Sequence, residues 1–390
     1  MVKYLLTAAA LTGCIDTAPG PPFRAEILVR DTAHQYSLET VALPDLTSLT
    51  PLSDPIMRFS DHPHFGGVDL EYVVPSVFAA PSDYVPRIRD VGGVAVSRDL
   101  ETLLTLSAYH ALKDNLARAK DVFGPLDQLI PPGGFQILVE PKFSSDFGSE
   151  ELGTNAAYIS NGQAFLLVQM SSLEQVPLGM NPSVLAHELG HHVFHITYHL
   201  ADGICRPEDN TPGPVPPGRF SFIEAIGGFN EGFADFTAFA LQQETSIQAD
   251  SLPLVDGDDR TIDRRDPFFR SFTWNTRELC HGGGYCIGTL WARAMFETYL
   301  ATGAVPSDPV ARSTFAQTVT ASIAGIPGRL RQRSDWPAPP KPCEFGDLDD
   351  EVTLVHAYLE AFIAGLPMAL QPSACTQLAY HFDYEPAGCP

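Results

Sequence analysis

Apolar positions recur with two different periods along the chain, and the change of period separates predicted helices from predicted strands. Between Leu100 and Phe123 apolar side chains return every three or four residues, as on one face of a helix, and Gly124 with Pro125 ends the pattern. Short apolar runs farther along predict strands. These strands are expected at 135–140 and 164–169, with a weaker one at 156–160.

After Pro182 the pattern becomes helical for most of the remaining chain. A loop rich in proline and glycine at 203–220 and an acidic loop at 249–266 interrupt it. Strands precede helices instead of alternating with them, so the sequence predicts an α+β fold and not a doubly wound α/β sheet. The predicted helices span 183–198, 222–242, 286–303, 309–323 and 348–365.

The segment before the first helix is less regular. Proline and glycine are frequent there, and the apolar runs at 25–29 and 68–74 are short. We predict a tether followed by a small β-rich or irregular segment over 14–98. His62 and His64 flank a proline in this segment, and a solvated turn is favoured over a metal site at that point.

The composition is that of a folded protein with an acidic surface. Of the 390 residues 44% are hydrophobic, and 24 lysines and arginines against 47 aspartates and glutamates give a net charge of −23. Phosphate backbones and anionic headgroups repel such a surface. We therefore expect no nucleic-acid partner.

The first residues have the features of an export signal. Lys3 precedes an apolar stretch at 4–11 that is too short to span a bilayer. Leu11-Thr12-Gly13-Cys14 resembles a bacterial lipobox, which implies a signal peptide over 1–13 and lipidation of Cys14. The chain is then expected on the periplasmic face or the cell surface, attached to a membrane only through its acyl chains. An ordinary signal with an incidental cysteine is the alternative.

The other cysteines fit an oxidising compartment. In an exported protein they predict up to three disulfides, but the sequence does not rank the 15 ways of pairing six cysteines. Cys280 and Cys286 flank a short glycine-containing loop and are one candidate pair. A cysteine-rich metal site is the weaker interpretation because no CxxC occurs. The six cysteines are Cys205, Cys280, Cys286, Cys343, Cys375 and Cys389.

A His-Glu-x-x-His motif lies in the helix predicted at 183–198. His187 and His191 are one turn apart on one face, where two imidazoles can reach a single Zn²⁺ at about 2.0–2.1 Å from each nitrogen. Glu188 then stands where it can act on a water as a base. The alternative is a histidine-rich helix whose side chains are satisfied by hydrogen bonds.

The motif needs a third ligand. The metzincin pattern, His-Glu-x-x-His-x-x-Gly-x-x-His, is excluded because Phe194 and Thr197 occupy its glycine and third histidine positions. His195 and His199 continue the i+4 spacing, but a straight helix carries them away from a metal held by the motif. We predict packing or capping roles for them.

A better candidate lies in Asn230-Glu231-Gly232-Phe233-Ala234-Asp235 on the next predicted helix. Glu231 and Asp235 are four residues apart, so both carboxylates project from one face. One can complete a His₂Glu site while the other accepts the free N–H of a ligand histidine. HExxH followed by NExxxD resembles the thermolysin-like and fungalysin-like zinc metallopeptidases, the gluzincins.

This resemblance implies a role for each residue. His187, His191 and Glu231 would bind one catalytic zinc, and Asp235 would orient a ligand histidine. Glu188 would be the general base toward a metal-activated water that attacks the peptide bond. Glu231 follows His191 by 40 positions, which exceeds the thermolysin spacing. A loop insertion fills the difference at small cost, because closure entropy grows only with the logarithm of length.

Two further passages resemble the same family. Asn155 and Ala156 open an Asn-Ala-x-aromatic stretch like the edge strand with which these enzymes pair the substrate backbone, although a plain strand is the alternative. Residues 285–292 resemble the fungalysin His-x-x-Gly-x-x-Trp-Ala helix, with Tyr285 in the histidine's place. Tyr285, or else His281, is the candidate oxyanion donor, and a loop position without a catalytic role is the alternative.

The implied fold is a zincin-like, two-lobed domain. An upper α+β lobe over 99–200 would hold a mixed sheet and the HExxH helix, and a mostly helical lower lobe over 201–390 would hold the third ligand. The implied function is zinc-dependent hydrolysis of peptide or protein substrates. The alternative is a non-catalytic surface lipoprotein whose structural zinc stabilises a binding module. Calcium binding is not favoured, because the EF-hand ligand spacing is absent around Asp256, Asp258 and Asp259.

Overall fold

The fold is known from a computed structural model that describes twelve stretches of the chain. They are residues 22–61, 64–65, 82–126, 128–143, 156–159, 164–167, 176–199, 222–247, 251, 261–263, 284–333 and 349–389. Cys14, Asn155, His281 and the acidic residues 256–259 lie outside them, as do the side chains of Tyr285 and Cys286.

Thirteen strands lie in the first half of the described chain. They are β1 (Phe23–Arg30), β2 (Tyr36–Leu43), β3 (Ser48–Leu49), β4 (Leu52–Ser53), β5 (Met57–Asp61), β6 (His64–Phe65), β7 (Ser82–Asp83), β8 (Ile88–Val91), β9 (Val94–Ser97), β10 (Phe135–Val139), β11 (Lys142–Phe143), β12 (Ala156–Ile159) and β13 (Ala164–Leu167). The three strands predicted between residues 135 and 169 are confirmed as β10, β12 and β13.

Seven α-helices follow or separate these strands in the described chain. They are α1 (Leu100–Phe123), α2 (Pro182–Phe194), α3 (Phe222–Gln242), α4 (Gly284–Ala301), α5 (Pro309–Arg331), α6 (Asp349–Gly365) and α7 (Gln371–Phe382). Every predicted helix is present, and the predicted α+β class is confirmed. A π-helical turn, His195–His199, continues α2, so the two histidines predicted to pack or cap lie beyond its α-helical part.

The central sheet is mixed, with the order β12-β13-β10-β5-β4-β3, and β7 adds to β5. Strand β10 runs parallel to both β13 and β5, while β12 is antiparallel to β13 at the sheet edge. Ile137, Leu138 and Val139 in β10 are fully buried, as expected for a strand covered on both faces. Strands from the segment 14–98 therefore share a sheet with strands that follow α1.

A second sheet packs beside the first helix. Its order is β2-β1-β9-β8, and the Leu28 N–H of β1 donates to the Ser107 hydroxyl of α1 at 2.9 Å. At the end of β1, the Arg30 guanidinium donates to the Ser183 hydroxyl of α2 at 2.9 Å and pairs with Glu244, just after α3. This sheet is thus tied to the two helices that carry the candidate ligands.

Helix α5 ends at Arg331, whereas its apolar pattern predicts an end at 323. Gly325, Pro327 and Gly328 dilute the pattern, yet the helix runs through them. Arg329 holds this last stretch, since its guanidinium donates to main-chain carbonyl groups of Ala361 and of Ser322. A long-range contact therefore overrides the local signal to stop.

The helices α2 and α3 cross at close range. A Cβ atom on Gly190 would lie 2.6 Å from the Ala234 Cα and 2.9 Å from the Thr237 Cβ. Only glycine permits this approach. It brings the HExxH face of α2 directly against the NExxxD face of α3.

One disulfide is formed among the described residues, between Cys375 of α7 and Cys389. This is one of the possible cysteine pairings among which the sequence alone does not choose. The candidate pair of Cys280 and Cys286 lies outside the residues whose side chains are described. In the described part of the chain, no helix has the length and apolar character needed to cross a membrane.

Candidate metal centre

Two histidines of α2 converge on one point. The Nε2 atoms of His187 and His191 are 3.0 Å apart, and the ring planes are nearly perpendicular at 88°. Their spacing of four residues places both rings on the face of α2 that meets α3. Helix α2 starts after Asn181, whose side chain caps the Ser183 N–H at 3.0 Å, with Pro182 in the first turn.

Glu231 of α3 closes the third side of this point. One carboxylate oxygen lies 3.3 Å from the His187 Nε2 and the other lies 3.7 Å from the His191 Nε2. Two nitrogens bound tetrahedrally to zinc at about 2.0–2.1 Å would stand about 3.3 Å apart. The three side chains therefore have the donor types and the spacing to hold one Zn²⁺.

Each imidazole is oriented by a partner on α3. The His187 Nδ1 lies 2.8 Å from Oδ1 of the fully buried Asp235, and the His191 Nδ1 lies 3.0 Å from Oδ1 of Asn230. For His191, the Asn230 oxygen accepts from Nδ1 and leaves the Nε2 lone pair facing the common point. For His187, the negative charge of the nearby Asp235 carboxylate favours the same arrangement.

Glu188 lies beside the ligands in a buried position. His187, Glu188 and His191 each offer one ligand atom, and these atoms lie within 4.8 Å of one another. Burial raises the pKa of the Glu188 carboxyl, whereas the two imidazoles and a hydrogen bond from the Tyr158 backbone oppose the rise. A carboxylate with a raised pKa is suited to accept and release a proton.

Strand β12 runs next to this helix at the sheet edge. Ala156, predicted to contact substrate, opens the strand and packs with Leu178 and Val184 in a small apolar cluster. Its predicted companion Asn155 lies just outside the described residues, as does His281. Tyr285 lies in the first turn of α4, and the structure describes its backbone only.

Behind the ligands, His192 points toward the sheet. Its Nδ1 lies 2.7 Å from the Tyr158 hydroxyl, and its Nε2 lies 3.2 Å from the carbonyl oxygens of Gln128 and Leu129. Burial lowers the pKa of His192 to about 4, so the ring is neutral near pH 7.

Sequence reasoning did not assign roles to Asn230 or His192. Asn230 stands next to Glu231 in the motif, yet no periodicity distinguishes an asparagine that supports a ligand from one that faces solvent. His192 had a weak signal, because it is a histidine that extends a run of apolar positions on the buried side of α2. Only the contacts across α3 and β12 reveal what the two side chains touch.

Comparison with known proteins finds likenesses among solved structures. No protein-family model matches the chain, and no curated protein matches it. Among solved structures the chain is similar to the precursor of protealysin, a metalloproteinase from Serratia proteamaculans, with a TM-score of 0.43 and 11% sequence identity. The match covers 87% of this chain and 88% of that one. At this level of similarity, function has to be argued from the residues of the site.

Proposed function

We propose that the protein is a zinc-dependent peptidase with Glu188 as its general base. The observation that supports this most strongly is the convergence of the His187 Nε2, the His191 Nε2 and the Glu231 carboxylate on one point, with Glu188 beside them. Two imidazoles and one carboxylate are the donor set of catalytic zinc sites that keep a fourth position open.

The chain's own groups divide the work of hydrolysis. When bound at these ligands, Zn²⁺ polarises a carbonyl oxygen and lowers the pKa of a water molecule. Glu188 accepts a proton from the attacking water at its carboxylate and passes it to the leaving nitrogen. Asp235 and Asn230 keep the two imidazoles aimed, so the ligands need no rearrangement before they bind the metal.

An extended peptide is the substrate class that fits the surroundings of this site. Strand β12 is the last strand in its sheet order and pairs with β13. An edge strand beside the base can take up a peptide by main-chain hydrogen bonding. We propose that Asn155 and Ala156 contact the substrate there, and that Tyr285 or His281 supplies the oxyanion donor.

Substitution of the base tests the chemistry. Glu188→Gln should retain stoichiometric zinc and lose at least about 1,000-fold in kcat on a casein substrate, because the amide cannot accept the proton. Glu39→Gln, on the exposed face of β2, removes the same charge elsewhere and should keep full activity. Full activity of Glu188→Gln would refute the proposed mechanism.

Substitution of the third ligand tests the metal site. Glu231→Ala should lose zinc, as measured by elemental analysis of the dialysed protein, because two imidazoles alone hold the ion weakly. Stoichiometric zinc in this variant would require another third ligand. Zinc in the wild type together with no chelator-sensitive cleavage of casein would favour the competing function, a structural zinc site in a binding module.

We also propose that Cys14 carries the lipid predicted from the lipobox. The mature protein, isolated from membranes of a bacterial host, should begin at Cys14 and carry the mass of a diacylglyceryl group on that residue. An unmodified N-terminus at any other residue, found by mass spectrometry, would refute this proposal. Cys14→Ser should release the protein from the membrane fraction.

A further inference from the structure

His192 is a fully buried histidine that faces away from the ligand side of α2. Its ring lies against Phe135 of β10 at 4.9 Å and against Tyr158 of β12 at 5.3 Å between ring centres, edge to face in both cases. It therefore sits between the helix that carries the ligands and two strands of the central sheet.

The hydrogen bonds around His192 fix its tautomer. Carbonyl oxygens can only accept, so the Nε2 that faces Gln128 and Leu129 at 3.2 Å must carry the proton. The Nδ1 of a neutral ring is then an acceptor, and the Tyr158 hydroxyl donates to it at 2.7 Å. Both polar ends of the ring are used.

Tyr158 connects this pair to the base. Its side chain is held by His192, while its backbone lies next to the Glu188 carboxylate and counters the rise that burial causes in the pKa of that group. In the described chain β12 spans four residues and pairs with β13, and its apolar contact with α2 runs through Ala156 and Val184. Apolar contacts are non-directional, whereas a hydrogen bond sets a distance and an angle.

We propose that the Tyr158–His192 hydrogen bond positions Glu188 by holding β12 in register with α2. Both residues are positioning residues, because neither side chain faces the ligand point. The inference rests on the proposed function, since it concerns the base of that reaction. A weaker hold on β12 would leave the Glu188 carboxylate free to turn, without any change in the zinc ligands.

Removal of the hydroxyl is the direct test. Tyr158→Phe keeps the ring and should lower kcat about tenfold while KM changes by less than about twofold and zinc content stays the same. The matched control is Tyr299→Phe in α4, which also removes one buried hydroxyl, donated to the Val305 carbonyl at 2.6 Å. The control should lose similar thermal stability and keep its kcat.

Variants of His192 separate the hydrogen bond from the ring. His192→Phe removes both ring nitrogens and should lower kcat as Tyr158→Phe does. The double variant should be no slower than the slower single variant, because both substitutions remove the same Tyr158–His192 hydrogen bond. His192→Gln keeps one donor and one acceptor and should restore most of the kcat. If His192→Phe does not fold, Tyr158→Phe and His192→Gln still carry the test.

A readout without activity comes from hydrogen exchange in the zinc-free protein. Amides of 156–159 should exchange about tenfold faster in Tyr158→Phe than in Tyr299→Phe. Wild-type kcat and exchange in Tyr158→Phe, or additive losses in the double variant, would overturn this inference and leave the proposed peptidase intact. Activity that survives Glu188→Gln or zinc removal would instead overturn the proposed function.

Discussion

Asp235 shows how one side chain can tune a proposed metal ligand. It is fully buried on α3, and its Oδ1 lies 2.8 Å from the Nδ1 of His187. A buried carboxylate is costly unless a partner compensates for lost hydration. Here the partner is the His187 imidazole, and the negative charge makes the opposite nitrogen a stronger donor to a metal.

Neutralising this carboxylate should weaken zinc binding. Asp235→Asn should raise the zinc dissociation constant about 10–100-fold, measured by competition with a chromogenic chelator. Asp308→Asn, at the N-cap of α5, is the control and should leave zinc affinity unchanged. Equal affinity in wild type and Asp235→Asn would mean that the carboxylate does not act on the ligand.

At this scale the motifs predict the convergent residues and one of their supports, Asp235, but not the other supports. His187 and His191 follow from their spacing, because residues four apart share a helix face. Glu231 and Asp235 follow from the resemblance that the NExxxD motif carries. Asn230 and His192 do not, because their partners lie on other elements at sequence separations of 39 and 34. Residue spacing within one helix contains no information about such contacts.

At the scale of elements, the crossing of α2 and α3 sets the geometry of the centre. Gly190 allows the backbones to approach, and a Cβ there would meet backbone of α3 at 2.6 Å. The contacts of the two candidate histidine ligands on α2 with Glu231 and the supporting side chains on α3 depend on that separation. The relative position of α2 and α3 therefore determines the geometry of the candidate site.

A methyl group at this crossing should force the helices apart. Gly190→Ala should lower the free energy of unfolding by about 1–3 kcal/mol in urea and also weaken zinc binding. Gly227→Ala on α3 is the matched control, because a Cβ there meets nothing within 4 Å. The control should be neutral or more stable by about 0.4–1 kcal/mol. Equal stability of the two variants would contradict a tight crossing.

Helices were easier to foresee than strand partners. The bounds of α3 match the apolar pattern, since a long amphipathic stretch identifies itself locally. The pairing of β5 with β10 joins residues more than seventy positions apart, and nothing in either strand names its partner. The strands before α1 are short and lie in a segment rich in proline and glycine, so the sequence does not predict that some of them belong to the central sheet.

At the scale of the whole molecule, the C-terminal region is fastened to the helical part. The disulfide joins Cys375 to Cys389 across 14 positions, and Glu360 of α6 accepts hydrogen bonds from the Tyr384 hydroxyl and the Ala387 N–H. Helix α7 in turn packs against α4. Closing a loop restricts the unfolded chain and favours the folded one.

Loss of this disulfide should affect stability and spare the metal centre. Replacing Cys375 and Cys389 by alanine should lower the free energy of unfolding by about 2–4 kcal/mol, as measured by thermal or urea unfolding. Zinc content at 25 °C should not change. Thr376→Ala, exposed on the same helix, is the control and should change stability by less than about 0.5 kcal/mol. Loss of zinc in the cysteine variant would show that the geometry of the candidate metal site depends on the disulfide.

The place of β5 inside the central sheet also decides where the gene can be trimmed for expression. A fragment that begins at residue 99 would lack β3 to β5, and β10 would expose an unpaired row of main-chain groups that favours aggregation. Glu244, just after α3, would lose the guanidinium of Arg30. A recombinant version for zinc and cleavage assays should therefore begin at or before Phe23.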